Sequence, residues 1–317
     1  MAEVTAALVK DLREKTGAGM MDCKKALTET AGDVEAAIDW LRAKGLSKAA
    51  KKADRAAAEG LVGIAVLRNG DGARGAVVEL NSETDFVARN ETFQHATAAF
   101  ARVALDAHGD LHAILASKNP GGEGTVQDAI TNLIATIGEN MTLRRAAYLS
   151  VDHGVVTPYV HNAIVDGLGR IGVLVAAQST GPADKVEAFA RKVAMHIAAA
   201  GPVALTDADV PAERIERERA IILEQVKEDP KLAGKPQNVV DGAVNGKLRK
   251  ILEELVLLKQ KFVHDPDLTV EAAAKAAEKD VGAPVTITGF VRYVIGEGVE
   301  KPKDDFAAEV AGMTGKA

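Results

Sequence analysis

Among 317 residues there is a single cysteine, Cys23. An intrachain disulfide and a Cys-rich metal site are therefore excluded, and the usage fits a reducing compartment. Aromatic residues make up only 3% of the chain, so its cores must be packed by Ala, Val, Ile and Leu, and stacking of exposed bases is disfavoured. Neither sign of charge dominates. The 39 Lys and Arg face 45 Asp and Glu, for a net charge of −6, which offers no global attraction to phosphate polymers, so no direct nucleic-acid partner is expected. No run approaches the roughly 18 uninterrupted apolar residues that span a bilayer. Residues 1–11 lack the basic and apolar halves of a signal peptide, so a cytoplasmic protein with no membrane partner is expected.

What is present is globular material, 47% hydrophobic and 26% charged, long enough for two or three compact units at roughly 100–200 residues each. The opening segment reads as three short helices. Val4, Leu8 and Leu12 share a face, Thr16-Gly17-Ala18-Gly19 interrupts it, and a second run starts at Met20 or Met21. Asp33 is placed to cap a third helix, in which Val34, Ala37, Ile38 and Leu41 recur at i, i+3, i+4 and i+7 beside Trp40. Residues 44–55 turn Ala-rich and basic, with Lys48, Lys51, Lys52 and Arg55. A helical linker is the reading, ahead of an RNA-binding stripe, because neither aromatics nor a second basic patch accompany it.

Residues 61–67 and 76–80 read as antiparallel strands joined at Asn69-Gly70-Asp71-Gly72. A helix over 91–107, a loop at Pro120-Gly121-Gly122, a helix over 125–140 and a strand over 143–151 complete one α+β unit. Residues 155–165 and 170–178 read as a second strand pair, followed by a helix over 184–200. Phe100-Ala101-Arg102 and Phe189-Ala190-Arg191 fall at matching places, so the unit reads as duplicated. Helices over 212–227 and 238–262, punctuated by Asp229-Pro230 and Gly234-Lys235-Pro236, form an antiparallel hairpin. A strand over 285–295 returns to the second sheet, and Phe306, Val310 and Met313 share one face of a terminal helix after Pro302.

Familiar chemistry is absent from the places where its motifs occur. Gly70-Asp71-Gly72-Ala73-Arg74-Gly75 matches G-x-G-x-x-G, yet it leads into a strand and not the helix a dinucleotide site needs. Gly315-Lys316 resembles the end of a P-loop but lacks the following Ser or Thr. His108 and His112 have zinc-ligand spacing, but Gly109 interrupts it and a surface loop is the reading. Cys23 has no histidine beside it to act as base and reads as a small buried residue. Asn81-Ser82-Glu83-Thr84-Asp85 sets carboxylates after a strand, without a pairing acid that spacing alone identifies. From the residues alone, Phe86 reads as a lid folded over the local core. No cofactor and no resident metal are expected.

A resemblance alters the weighting of Phe86. The run Leu12-Arg13-Glu14-Lys15-Thr16-Gly17-Ala18-Gly19-Met20-Met21-Asp22-Cys23-Lys24-Lys25-Ala26-Leu27 resembles the opening of the bacterial elongation factor Ts family, nucleotide exchange factors of the GTPase elongation factor Tu. Thr84-Asp85-Phe86-Val87-Ala88-Arg89-Asn90 is similar to that family's second signature. So, in order, are Ile137-Gly138-Glu139-Asn140, Gly169-Arg170-Ile171-Gly172-Val173-Leu174-Val175, Ala194-Met195-His196, Gly234-Lys235-Pro236 and Asp305-Phe306-Ala307-Ala308-Glu309-Val310.

The resemblance implies an α+β protein with five parts. These are a ubiquitin-associated-like three-helix domain with its linker (1–56), a core N-subdomain (57–152), a core C-subdomain (153–210 with 282–299), a helical-hairpin dimerisation arm (211–281) and a C-terminal module (300–317). It implies that Thr84, Asp85, Phe86 and Val87 form a wedge that disturbs the Mg²⁺ and phosphate site of elongation factor Tu, and that no bond chemistry is catalysed. Arg13, Met20, Met21, Ile137, Gly138, His161 and Phe306 match partner-contacting positions, and a homodimer through the arm is implied as an option. His161 departs from the pattern, because residues 162–168 lengthen the chain before Gly169-Arg170-Ile171-Gly172. The rival reading is a partner-binding scaffold without exchange activity, with an enzyme third.

Overall fold

The computed structural model describes residues 4–16, 18–229 and 235–300. Its N-terminal part is three helices, α1 (Ala6–Thr16), α2 (Met20–Glu29) and α3 (Val34–Ala50). They close over Leu12, Cys23, Ala26, Leu27, Ala37 and Leu41, with Trp40 at the margin. Asp33 caps α3 by accepting the Ala36 N–H at 3.0 Å. The basic stretch does not stay helical to Arg55: α3 stops at Ala50, and residues 51–55 form turns.

The first α+β unit follows as β1 (Glu59–Asn69), β2 (Gly72–Ser82), α4 (Glu91–Asp106), α5 (Leu111–Ala116), α6 (Val126–Ile137) and β3 (Met141–Val151). The β1–β2 pair is an antiparallel hairpin whose turn is Gly70-Asp71, so the G-x-G-x-x-G match is hairpin punctuation. α6 begins with a reciprocal capping box between Thr125 and Asp128 and stops short of Asn140, because Gly138 takes the left-handed conformation that ends it. His112 lies on α5 and not in a loop, while His108, with φ of 50°, packs its ring edge-on to Tyr148. Among the described residues no group of three or more His, Cys, Asp or Glu side chains is placed to hold a metal.

The second unit contains β4 (Gly154–His161), β5 (Leu168–Gly169), β6 (Ile171–Gln178) and α7 (Ala183–Ala200). β4 ends at His161 and does not run to residue 165. The chain instead turns back so that β5 pairs with β1 of the first sheet, burying Leu168 in the first core. The helical hairpin is α8 (Ala212–Lys227) and α9 (Gln237–Leu255), held by Ile222 and Val226 against Val244 and Leu248. α9 ends at Leu255, short of the expected Phe262. Val256 is extended and bridges Ala204, and Leu257 and Phe262 enter the second core. The short pair β7 (Lys261–Phe262) and β8 (Asp265–Thr269), helix α10 (Val270–Val281) and strand β9 (Thr286–Val294) complete the described chain.

The sheets have orders β3-β2-β1-β5 and β4-β6-β9, all pairings antiparallel. They share an apolar layer of Val62, Val77, Val156, Leu174, Ala176 and Ile295. Glycine permits this approach: a Cβ on Gly75 would stand 2.6 Å from Val156, and one on Gly172 would stand 2.5 Å from Val62. Outside the layer, α4 and α7 cover their own sheets, and the paired motifs bury Phe100 with Ala101 and Phe189 with Ala190 at equivalent places. The result is the expected α+β class, with small antiparallel sheets and an N-terminal helical region. Among the described residues no helix is long and apolar enough to cross a membrane.

Candidate functional site

After β2 the chain does not pass directly into a helix. Thr84 is extended, and Asp85–Arg89 makes a single 3-10 turn before Asn90 caps α4 by accepting the Phe93 N–H at 3.1 Å. The turn has an inner and an outer side. Val87 and Ala88 point into the first core at 4% and 3% exposure, and Ala88 accepts a hydrogen bond from Gln94 at 2.8 Å. Asp85 and Phe86 point outward, and Phe86 is 76% exposed. The core-lid reading of Phe86 is thus overturned, since Val87 and Ala88 already seal that side.

Two glutamates brace the base of this loop. Glu139 accepts the Thr84 N–H at 2.9 Å and the Thr84 hydroxyl at 2.6 Å. Glu83 accepts the Asn140 N–H at 2.6 Å. The Glu83 carboxylate is therefore held by the turn after α6, and Glu139 of that turn bonds Thr84 and not an acid. Asn140 also donates its side-chain amide to the Arg55 and Ala53 carbonyls, at 2.7 and 3.3 Å, and Lys52 donates to the Gly138 carbonyl. Of the linker cations, Lys48, Lys52 and Arg55 thus have partners within the chain, Arg55 pairing with Glu83 at 3.5 Å. Thr84, Asp85, Phe86, Val87, Ile137 and Gly138 are brought onto one pair of adjoining loops, with Ile137 half-buried and Gly138 exposed.

The N-terminal positions form a second patch. Met20 and Met21 stand 60% and 75% exposed at the start of α2, and Arg13 is exposed on α1. Next to them, Asp22 pairs with Lys44 and Lys48 at 2.5 and 3.2 Å. The hydrogen bond from Lys44, reinforced by Lys48, holds the Asp22 carboxyl below the usual carboxylate range. Lys48 also reaches the Ala135 carbonyl of α6 at 3.5 Å, which ties this patch to the first unit. Cys23 is buried, and burial pushes its thiol up, as suits a packing residue. His161 stands apart at the exposed end of β4, its Nδ1 3.1 Å from the Tyr159 hydroxyl. Phe306 and the expected terminal helix lie outside the described residues.

Two polar residues that spacing alone does not single out organise the rest. Glu79 on β2 is fully buried and bonded to Arg145 at 2.5 Å, Arg144 at 3.1 Å, Asn81 at 3.0 Å and the Gly296 N–H at 2.9 Å. Burial by itself pushes its carboxyl up, but the Gly296 N–H, Arg145 and Asn81 together carry it below the usual range. His196, within a family-like motif, is buried. It accepts the Val263 N–H at Nδ1, 3.2 Å, and so presents Nε2–H to Gln260 at 2.8 Å. Burial lowers its pKa, which leaves a neutral ring pinning α7 to the chain around β7. The hints for the braces were an acid directly after a strand and an acid after a helix-ending glycine, too far apart in sequence to be paired by spacing.

Comparison with known proteins bears on this arrangement. Residues 83–297 match the family model described as Elongation factor TS, beginning at the glutamate that braces the projecting loop. Over its full 317 residues the chain is 59% identical to the whole of elongation factor Ts of Caulobacter vibrioides. It is 56% identical to that of Rhizobium etli and 55% identical to that of Parvibaculum lavamentivorans, covering 98% of each chain in both cases. A family model spanning most of the chain and full-length identity above half leave one conclusion: the chain belongs to the elongation factor Ts family.

Proposed function

We propose that this protein is a guanine nucleotide exchange factor of elongation factor Tu, and that Asp85 and Phe86 are inserted into the GTPase to release GDP. The observation that carries this reading is Phe86, a large aromatic 76% exposed on a loop braced from below. An aromatic held out in water without packing of its own is an anchor for a partner's pocket. Beside it, the Asp85 carboxylate would disturb the Mg²⁺ that shields the nucleotide phosphates, and removing that shielding weakens nucleotide binding. No bond need be made or broken. A factor that binds the empty GTPase more tightly than the loaded one must, by linkage, weaken nucleotide by the same ratio.

In this reading Met20, Met21 and Arg13 form the N-terminal contact, Ile137 and Gly138 flank the wedge, and His161 contributes from the second sheet. The arm is drawn as 212–255, since Leu257 and Phe262 pack in the second core. Ile221 and Val239, 47% and 42% exposed on the hairpin, favour a second copy as its partner. Sedimentation of the whole chain checks that point, with a monomer at every concentration as the contrary result.

The deciding experiment is stopped-flow release of a fluorescent GDP analogue from elongation factor Tu. Release accelerated by substoichiometric amounts of this protein is expected. A stable complex with release at the unassisted rate would establish the scaffold reading instead.

A further inference from the structure

We propose that Glu139 is the positioning residue of the projecting loop, fixing where Asp85 and Phe86 stand without acting on the partner's nucleotide site through its own charge. This rests on the exchange reading above and specifies what makes the wedge work. Glu139 commits both carboxylate oxygens to one residue, accepting the Thr84 N–H at 2.9 Å and the Thr84 hydroxyl at 2.6 Å. Thr84 immediately precedes Asp85, so these two bonds fix the chain at the point where the turn leaves the sheet. A single attachment would still allow the loop to swing. The second comes from the reverse pairing, in which Glu83 accepts the Asn140 N–H at 2.6 Å. Segments 83–84 and 139–140 therefore hold each other crosswise.

The exposed wedge needs this brace because its own contacts are one-sided. Val87 and Ala88 anchor the far end of the turn in the core, but Phe86 is 76% exposed, so little packing sets its direction. An anchor displaced by a fraction of its own width loses the preorganisation that lets it enter a pocket without further ordering. The same turn also receives the linker: Asn140 donates to the Arg55 carbonyl and Lys52 to the Gly138 carbonyl. The brace thus sits between the wedge and the chain leading to the Met20 and Met21 patch.

Charge and position are separable at this residue. Glu139→Gln removes the charge but keeps the shape, since its amide oxygen accepts the Thr84 N–H and its NH₂ donates to the Thr84 oxygen. Glu139→Ala removes both bonds. Release of a fluorescent GDP analogue from elongation factor Tu is followed at rising concentrations of the full chain, together with thermal melts and amide exchange at Thr84. For Glu139→Ala the maximal release rate is expected to fall about tenfold or more, with the half-saturating concentration within about threefold of the parent. Thr84 amide exchange is expected to accelerate in that variant. Glu139→Gln should restore both, whereas Met21→Ala should show the opposite split, a raised half-saturating concentration at an unchanged maximum.

A Gln variant as slow as the Ala variant would overturn the proposal in favour of direct charge, and parental release by Glu139→Ala would overturn it outright. If Glu139→Ala lowers the melt, Thr84→Val removes only the hydroxyl bond and decides the matter: a smaller fall in maximal rate is expected, and no fall overturns the proposal. Phe86→Ala run in parallel keeps the two levels apart. Normal release by that variant would count against the exchange reading, whereas a defect there with none at Glu139 would count only against the brace.

Discussion

The two strand–strand–helix units differ most where strand hands over to helix. In the second, residues 179–182 carry the chain from β6 to α7. That connection is cramped: Gly181 donates its N–H to the Ser179 hydroxyl at 3.1 Å, and a Cβ on Gly181 would stand 2.3 Å from Val281. In the first, residues 83–90 make the same passage from β2 to α4, with a 3-10 turn that buries Val87 and Ala88 and leaves Asp85 and Phe86 outside. One scaffold therefore supports a closed corner in one copy and a projecting one in the other. The proposed binding residues sit on the longer connection while packed strands and helices hold it in place, which is the usual division between loops and cores.

That contrast can be broken most severely from beneath. Phe93, in the first turn of α4, is fully buried, so Phe93→Ala should cost about 3–5 kcal/mol and lower the melting temperature. Glu79→Ala should also destabilise, by less, because it removes the buried carboxylate shared by Arg144 and Arg145 at the seam between the units, while Arg145 keeps Glu297 and the Val294 carbonyl. The seam also has a pH signature. The Glu79 carboxyl is held below its ordinary 4.5 in the folded state, so its contribution is complete above that value and is lost as pH falls through the depressed one. Denaturant melts from neutral pH into the acid range should show a loss in the parent that Glu79→Gln lacks.

Glycine substitutions sharpen the comparison at smaller cost. Gly181→Ala must displace Val281, and about 1–3 kcal/mol of destabilisation is expected in urea melts. Gly138 is different: a Cβ there would meet nothing within 4 Å, but its φ is +93°. Gly138→Ala should cost about 1–2 kcal/mol through the left-handed backbone alone. Similar effects of Ala, Leu and Lys at 138, with Asn milder because it tolerates the left-handed backbone, against effects that grow with side-chain size at 181, would confirm that the two corners are constrained by different physics.

Most of the scaffold was legible in the residues because its signals are local. Asn69-Gly70 marks a hairpin, Asp33 a cap, and the repeated Phe-Ala pairs the helices over each sheet. The errors came where tertiary contacts outweigh local preference. Ile164 and Val165 suit a strand, yet β4 stops at His161 so that Leu168 can reach the first core. The helical pattern of α9 runs past its true end because Leu257 and Phe262 continue its apolar content while packing in the second core. At the site, composition alone made Phe86 a lid, and only the family-like motif around it pointed outward. The Glu83 and Glu139 braces were unreadable from spacing, because their partners Asn140 and Thr84 lie 57 and 55 residues away.

The central claim is that Phe86 serves a partner and not the fold, and Phe86→Ala tests it most directly when measured beside Phe93→Ala. A side chain 76% exposed contributes little to packing, so the Phe86→Ala melt should stay within about 0.5 kcal/mol of the parent. Stimulated GDP release from elongation factor Tu should fall about tenfold or more, as for the loss of an anchor worth about 2 kcal/mol. A melt lowered like that of Phe93→Ala, with release per folded molecule unchanged, would contradict the account.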